Sequence, residues 1–514
     1  MRVFLILFTA FLLHANCIIA QSYLPNDSLR GSTWFIGYQF PIKIDFRQTP
    51  ITFDSVRTTQ EPLPWAGVFL GGSNICDSTG DLAAICEGFY ILNKDGYGMH
   101  STTPINSPLG QKFELSYGSF VNQMSLMLPK KGNQYYVFTT GMSDTAYDAA
   151  NNEWSKFHMD FLLYHIIDLD SNNGQGALVS KDNFLLRDKW LAFNRLTAVR
   201  HGNGRDWWLV KGHHTKQQFY TFLVTADTIM LHDSTVYNAD TISYVGVRGQ
   251  AQFSPDGKHF VITKDYIDSF NHLFYTYDFD RCTGTFYNYH KYNMPLTNPL
   301  DAIYGACYSP DNKILYVNSY YEVYQLLAGD TTLGTKYLVA GFDTANDFPR
   351  YCTMVNGPDG KIYIGNKNGT RKSMSTIDKP NEIGAACSFN KYGFTNTWSY
   401  LFTPPNMPNY ALGKLAGSAC DTILPPPPPA PVPLAWQVYP NPTTDMLYID
   451  VPDSSATQIE LAVHNAVGQC LHIYQLQVNA KHQAEFSMQH LAKAVYFVSI
   501  RHKQERFVKK VMKL

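Results

Sequence analysis

One short pattern returns along most of the chain and constrains its fold more than any other feature. Gln252–Thr263 reads QFSPDGKHFVIT, Cys307–Ser319 reads CYSPDNKILYVNS, and Val355–Asn366 reads VNGPDGKIYIGN. Pro255, Pro310 and Pro358 preset φ for the first position of a turn, and the Asp-Gly or Asp-Asn that follows tolerates the tight conformations after it. The alternating apolar residues of KILYVNS and KIYIGN have the two-residue period of a strand with one buried face. Looser copies precede these at Cys76–Ile85, Lys130–Thr140 and His201–Val210. Successive turns fall about 50 residues apart, with one longer interval between positions 140 and 200. That period accommodates four short strands, the content of one propeller blade. Six turns are visible, and Trp34–Phe46 with the strands after Cys387 supplies a seventh blade. Closing it from both chain ends would protect strand edges that otherwise aggregate. The expectation is an all-β chain with a seven-bladed propeller.

Composition agrees with sheet. Of 514 residues 45% are apolar and 14% aromatic, with 34 Tyr and 32 Phe, and rings suit a pleated surface. The formal net charge is −1, and no basic run is interleaved with aromatics, so nucleic acid is not an expected partner. Residues 1–20 have the layout of a secretory signal peptide: Arg2, the apolar run Val3–Leu13, and a small residue at Ala20 before a cut at Gln21. Eleven apolar residues are too few to span a bilayer. Cys17 would suit lipid attachment only with a small residue before it, and Asn16 stands there. No later stretch is long and apolar enough to cross, so no integral membrane segment is expected.

Leu424–Leu434, LPPPPPAPVPL, marks the sharpest boundary. Consecutive prolines lock φ and remove backbone donors, so the segment forms a stiff polyproline II spacer. It divides the chain into a propeller (21–422), a Pro-rich linker (423–434) and a small C-terminal domain (435–514). Eight cysteines remain after cleavage. An exported protein meets an oxidising compartment, so some pairing is expected. Cys76 and Cys86 are close enough in sequence to staple one hairpin, and the remaining connectivity stays open.

The C-terminal domain carries three ordered motifs: VYPNPTTDMLYIDV (Val438–Val451), ELAVHNAVGQCLHIYQL (Glu460–Leu476) and LAKAVYFVSIRHKQERFVKKVMKL (Leu491–Leu514). Together they resemble the type A sorting domain of the type IX secretion system, an Ig-like β-sandwich. The resemblance singles out Tyr439, Pro440, Asn441, Pro442, Gly468, Tyr496, Lys509, Lys510, Lys513 and Leu514 as the sorting motif. It implies the type IX machinery as a partner and an outer-surface or secreted location after Sec-dependent export. Ala494 departs from the family, which has Gly before the Val-Tyr-Phe strand. More loosely, His165–Leu186, Leu196–Val210, Tyr277–Gly284 and Ile383–Phe389 resemble the WD-repeat-like propellers that such tails accompany. That resemblance implies a fold and an address, not a reaction.

Candidates for chemistry are few. His201, His213 and His214 flank a Trp-rich strand and read as turn and strand-end histidines. DLDSNNG places Asp168, Asp170 and Asn172 like the start of a calcium loop, but it lacks Gly at the sixth position and Glu at the twelfth; a polar turn is the better reading. Asp278 and Asp280 share a strand face and read as closing the strand before the Thr-Gly turn. No catalytic, cofactor-binding or metal residue is assigned, since GxSxG, P-loop, HExxH and sialidase-type boxes are all missing from the sequence. Two functions remain. One is a surface binding or adhesion scaffold for an extracellular protein or glycan. The other is a hydrolase or lyase acting on an extracellular polysaccharide or peptide. An acidic channel mouth would favour the enzyme, an uncharged aromatic one the scaffold.

Overall fold

The computed structural model describes residues 27–37, 41–55, 72–99, 104–105, 121–150, 158–241, 249–263, 272–298, 301–341, 349–366, 371–397, 399–421, 436–453, 455–479, 482–503 and 505–514. The expected signal peptide and Pro-rich linker lie outside them. The chain forms two compact units, Met1–Ile423 and Leu424–Leu514.

Unit 1 is a succession of antiparallel sheets. The first holds β1 (Thr33–Ile36), β2 (Ile42–Asp45) and β3 (Thr52–Ser55), the second β4 (Ser73–Cys76), β5 (Leu82–Cys86) and β6 (Ile91–Asn93). An eight-stranded sheet follows: β7 (Ser125–Pro129), β8 (Gln134–Gly141), β9 (Met159–Asp168), β10 (Ala177–Arg200), β11 (Trp207–His213), β12 (Lys216–Val224), β13 (Ile229–Asp233) and β14 (Val236–Thr241). Three four-stranded sheets complete the unit. They are β15 (Ala251–Phe253), β16 (His259–Thr263), β17 (Leu273–Asp280) and β18 (Thr285–Asn293); β19 (Gly305–Tyr308), β20 (Ile314–Asn318), β21 (Val323–Leu327) and β22 (Lys336–Ala340); and β23 (Tyr351–Asn356), β24 (Ile362–Asn366), β25 (Ser373–Ile377) and β26 (Phe389–Thr395).

The first strands pack in chain order: β1 on β4, β4 on β7, β7 on β10, β10 on β15, β15 on β19, and β19 on β23. The last sheet returns to the first, where Trp34 meets Tyr363 edge-on at 5.1 Å in a core shared with Ile44, Met374 and Phe394. Sheets stacked around a ring in this way make a β-propeller.

The turns behave as their chemistry requires. Their third position is left-handed, with Gly257 at φ 74°, Asn312 at 65° and Gly360 at 79°, and the looser copies match at Gly80, Gly132 and Gly204. Asp256 Oδ1 accepts from Ser254 Oγ (2.6 Å) and Lys258 N (3.1 Å), and Asp311 repeats this with Ser309 Oγ and Lys313 N. The turns also latch one sheet to the next. Asp256 N donates to Asn312 Oδ1 and Asp311 N to Asn381 Oδ1, both at 3.2 Å.

Two expectations are corrected, and the longer interval in the repeat is explained. The strands after the turns are buried on both faces, not one: Ile314–Asn318 and Ile362–Asn366 are buried throughout, because each sheet is covered by a neighbour on either side. The long interval arises because β10 serves two partners. It pairs with β9 over Ala177–Leu191 and with β11 over Leu191–Arg200, and a short helix, α1 (Asp144–Ala150), lies between β8 and β9. Cys76 and Cys86 do not pair. Leu82 lies opposite Cys76 and Ser73 opposite Cys86, so the two sit about 10 Å apart along the ladder, beyond disulfide reach. Cys282 is bonded to Cys420 instead.

Unit 2 is a small β-sandwich. One sheet is β27 (Gln437–Tyr439), β28 (Met446–Asp450) and β31 (Gln483–Ser487); the other is β29 (Gln458–His464), β30 (Cys470–Gln477), β32 (Val495–His502) and β33 (Glu505–Met512), in the order β30-β29-β32-β33. Leu447 and Ile449 from the first sheet pack on Leu461, Val463 and Val498 from the second. Burial alternates along β28 and β29, as one covered face requires.

Candidate functional site

The centre of the propeller is filled by its own chain. After β26 the segment 401–406 is buried at every position. Asn406 Nδ2 donates to the carbonyls of Ser125 (2.8 Å) and Leu196 (2.9 Å), and Asn366 N donates to Phe402 O at 2.6 Å. A Cβ on Gly365 would lie 2.2 Å from that Phe402 oxygen, so only glycine admits the segment there. Side-chain amides copy the peptide pattern between first strands. Gln123 both donates to Ala251 O and accepts from Ala251 N at 2.8 Å, and Gln250 does the same with Met354 at 2.7 and 3.1 Å. Of the expected closing blade from both chain ends, β1–β3 are N-terminal and β26, after Cys387, pairs with β25. The segment that follows packs Leu401 into the core of Trp34, Ile36 and Ile42 and then fills the channel.

At the end bearing the Pro-Asp turns a cavity of about 330 Å³ remains between Pro255, Pro310 and Pro358 on one side and 405–412 on the other. Trp34, Phe253 and Tyr410 contribute rings, Asn356, Asn409 and Gln252 amides, and Ser254 a hydroxyl. Among the described residues no Asp, Glu, His, Lys or Arg lines it. Tyr410 donates to Met127 O at 2.8 Å, and full burial holds its phenol well above the ordinary range. Ser254 is engaged by Asp256 as a turn fastener, repeated at Ser309 in the next sheet.

Beneath the cavity, ion pairs fasten the plug. Asp27 bridges Arg30 and Arg200, the latter at 2.8 Å, and Arg200 donates to Tyr410 O and lies 4.0 Å from the Trp207 ring. Arg281 donates to the carbonyls of Arg200, Asp256 and Gly413.

The other candidates fall apart spatially or turn structural. His201 stands at one end of β11 and His213–His214 at the other. Burial, reinforced by Arg195, lowers His213 to about 4 and His214 to about 3. Asp168 Oδ2 accepts from Gln134 and Asp170 Oδ1 from Asn133, tying one turn to its neighbour, with Asn172 at φ 54° in the turn itself. Asp280 closes its strand by accepting from Cys282 N and Thr283 N. Asp278 does not; it accepts from His259 and Asn288. Sequence reasoning missed Gln123, Gln250 and Asn406, whose one signal was the Pro- and Asn-rich run TPPNMPNY (Thr403–Tyr410) after the last strand.

In unit 2 the singled-out residues divide in two. Some form a latch between chain ends. Asn441 Nδ2 donates to Lys510 O (2.8 Å) while its Oδ1 accepts from Met512 N (3.0 Å); Leu514 N donates to Thr443 O (2.9 Å). The buried Lys513 ammonium donates to the carbonyls of Met488, Gln489 and Leu491. Tyr496 donates to Ala492 O, and Gly468 holds φ 82° in the Asn465–Gln469 turn. The bonds before Pro440 and Pro442 are cis. Ala494, the family departure, accepts from Lys513 N. Others are exposed: Tyr439, whose hydroxyl meets Asp450 and Gln483, and the side chains of Lys509, Lys510 and Leu514.

Among the described residues no helix is long and apolar enough to cross a membrane. No curated protein matches the chain. Among solved structures it is similar to a protein from Lactobacillus plantarum (13% identity, 72% of this chain and 97% of that one, TM-score 0.42). It is also similar to Hsv2 of Kluyveromyces lactis (9%, 68% and 90%, TM-score 0.33) and to the extracellular domain of a one-component system of B. thetaiotaomicron (9%, 94% and 56%, TM-score 0.36). Residues 437–514 match the family described as the secretion system C-terminal sorting domain, so the chain ends in a type IX sorting tail and is a secreted or cell-surface protein.

Proposed function

We propose that this chain is an exported surface scaffold whose propeller, of seven blades and WD-repeat-like, binds an extracellular protein or glycan without transforming it. In this reading residues 1–20 direct Sec-dependent export and are removed, 435–514 hand the chain to the type IX machinery, and 423–434 link 21–422 to that tail. The sorting contacts are made by the exposed members of the tail motif, while the latch keeps them in place. The observation that carries the binding reading is the channel mouth: a cavity with rings and amides, no acid or base among the described residues of its walls, and the chain's own plug beneath. Such walls suit a ligand recognised by shape, apolar contact and neutral hydrogen bonds. The test is deletion of 435–514 in the native host. The shortened protein should accumulate, folded, in the periplasm, and its appearance on the surface would refute the address. Turnover of extracellular polysaccharide or peptide by the purified full chain, lost with a mouth substitution such as Asn409→Ala, would replace the scaffold by an enzyme.

A further inference from the structure

A second cavity, of about 240 Å³, lies away from the mouth, between the sheet β15–β18 and the sheet β19–β22. On one wall, His259 Nδ1 lies 2.7 Å from Asp278 Oδ1, and Asn288 Nδ2 donates to Asp278 Oδ2 at 2.7 Å. His290 stands beside them. The backbone is irregular here: the β17–β18 register slips between Thr276 and Asp278, and Asn288 holds φ 48° in the left-handed region. Bulges and strained residues of this kind re-aim side chains, and they are retained where the surroundings over-determine them. The facing wall is apolar over Tyr308, Leu315 and Leu326, with Asp330 at its edge accepting from Thr332 Oγ1 and Thr335 N.

The corresponding space one sheet further on is filled. There Tyr316 donates to Pro380 O (2.8 Å), and Gln325 donates to Glu382 O and accepts from Gly384 N (2.7 Å each), so the β25–β26 connection plugs the gap. In the ladders, Val261 pairs with Thr276 as Tyr316 pairs with Gln325. Val261 and Thr276 are the smaller pair, and the groove beside them stays open.

The geometry points to this groove as a binding site for a neutral polyhydroxylated ligand, one sugar ring in size. Among the described residues no Lys or Arg lines it, so a phosphate, sulfate or carboxylate would find no counter-charge there. Both oxygens of Asp278 are already engaged, those of Asp330 accept from Thr332 and Thr335, and no group of three metal-ligating side chains occurs among the described residues, which leaves a cation poorly served. Hydroxyls both donate and accept, as imidazole, amide and carboxylate edges require, while the C–H face of a ring packs on Leu326 and Tyr308. The volume is below the roughly 300–1,000 Å³ of drug-sized ligand pockets. The inference rests on the scaffold reading and supplies it with a ligand class and a place.

The test is saturation-transfer NMR on the full chain with the methyl glycosides of glucose, galactose, mannose and N-acetylglucosamine. At least one should give a saturable signal. His290→Ala, at an exposed position, and Thr276→Gln, which copies the filled groove, should each weaken it by about tenfold or more with the melting temperature retained. Absence of any saturable signal overturns the inference, as does a signal unchanged in both variants. Loss of the signal with Asn409→Ala, and not with the groove variants, overturns the groove but leaves the scaffold standing. Cleavage of the matching p-nitrophenyl glycoside in the groove overturns the scaffold itself.

Discussion

Cys282, in the turn after β17, is bonded to Cys420, 138 residues further along the chain. Around it Leu415 N donates to Gly202 O, and Arg281 reaches Gly413 O. The disulfide therefore clasps the end of the plug to the rim of the propeller and closes a long loop in the unfolded chain. Removing it with Cys282→Ser and Cys420→Ser should cost about 2–4 kcal/mol, read as a lower melting temperature under non-reducing conditions. An unchanged melting curve would show that the plug is held by its hydrogen bonds alone.

The remaining thiols should report the same compartmentation. Cys76, Cys86, Cys307, Cys352 and Cys387 are buried and Cys470 is exposed. Burial pushes the Cys76 thiol up to about 11 and that of Cys86 up to about 12, which suppresses the reactive thiolate. Thiol titration of the mature protein should find one fast group in the native state, lost in Cys470→Ser, and the others only after denaturation. Rapid reaction of two or more native thiols would contradict the packing described.

Two of the tail lysines, Lys513 and Lys509, should behave differently. Lys513→Met leaves one buried and two part-buried carbonyls without their donor, a loss of about 1–3 kcal/mol in the sorting domain. Lys509→Ala removes an exposed side chain and should change stability by less than about 0.5 kcal/mol. If Lys509→Ala reduces surface display without altering stability, the exposed face is the one read by the export machinery. Equal destabilisation by both substitutions would remove the division between latch and contact.

Asp301 gives stability a pH dependence of defined sign. Burial, opposed in part by Ser319 and Ala302 and reinforced by Glu322, raises its carboxyl to about 6. Its Oδ1 accepts from Ala302 N and Tyr320 N. An unfolded aspartate titrates near about 3.9. Below that pH both states hold the proton and the group contributes no penalty. Between about 4 and 6 only the folded state holds it, so stability falls as pH rises, and above about 6 the loss is complete at roughly 2–3 kcal/mol. Asp301→Asn should therefore raise the melting temperature at pH 7.5 and leave it little changed at pH 4. A gain of the same size at both pH values would mean the effect is not protonic.

What the sequence determined is what short-range chemistry dictates. Pro255, Pro310 and Pro358 with the residues after them specify turns through their own φ preferences, and those turns form. The repeat length specified a propeller, and the ordered tail motifs specified the sandwich and its family. What only the tertiary structure decided joins residues remote in sequence. Asn406 reaches Ser125 and Leu196 across 281 and 210 positions, and no local preference of Asn406 forecasts that the segment after the last propeller strand fills the channel. Cys76 and Cys86 looked like partners by spacing, but ladder register holds them apart, and register is set by the hydrogen bonds of two strands together. Asp278 and Asp280 looked alike. A bulge on the neighbouring strand brings Asn288 to one, while turn amides satisfy the other. The open groove is lined by residues of two neighbouring sheets, so no single segment of the sequence shows it.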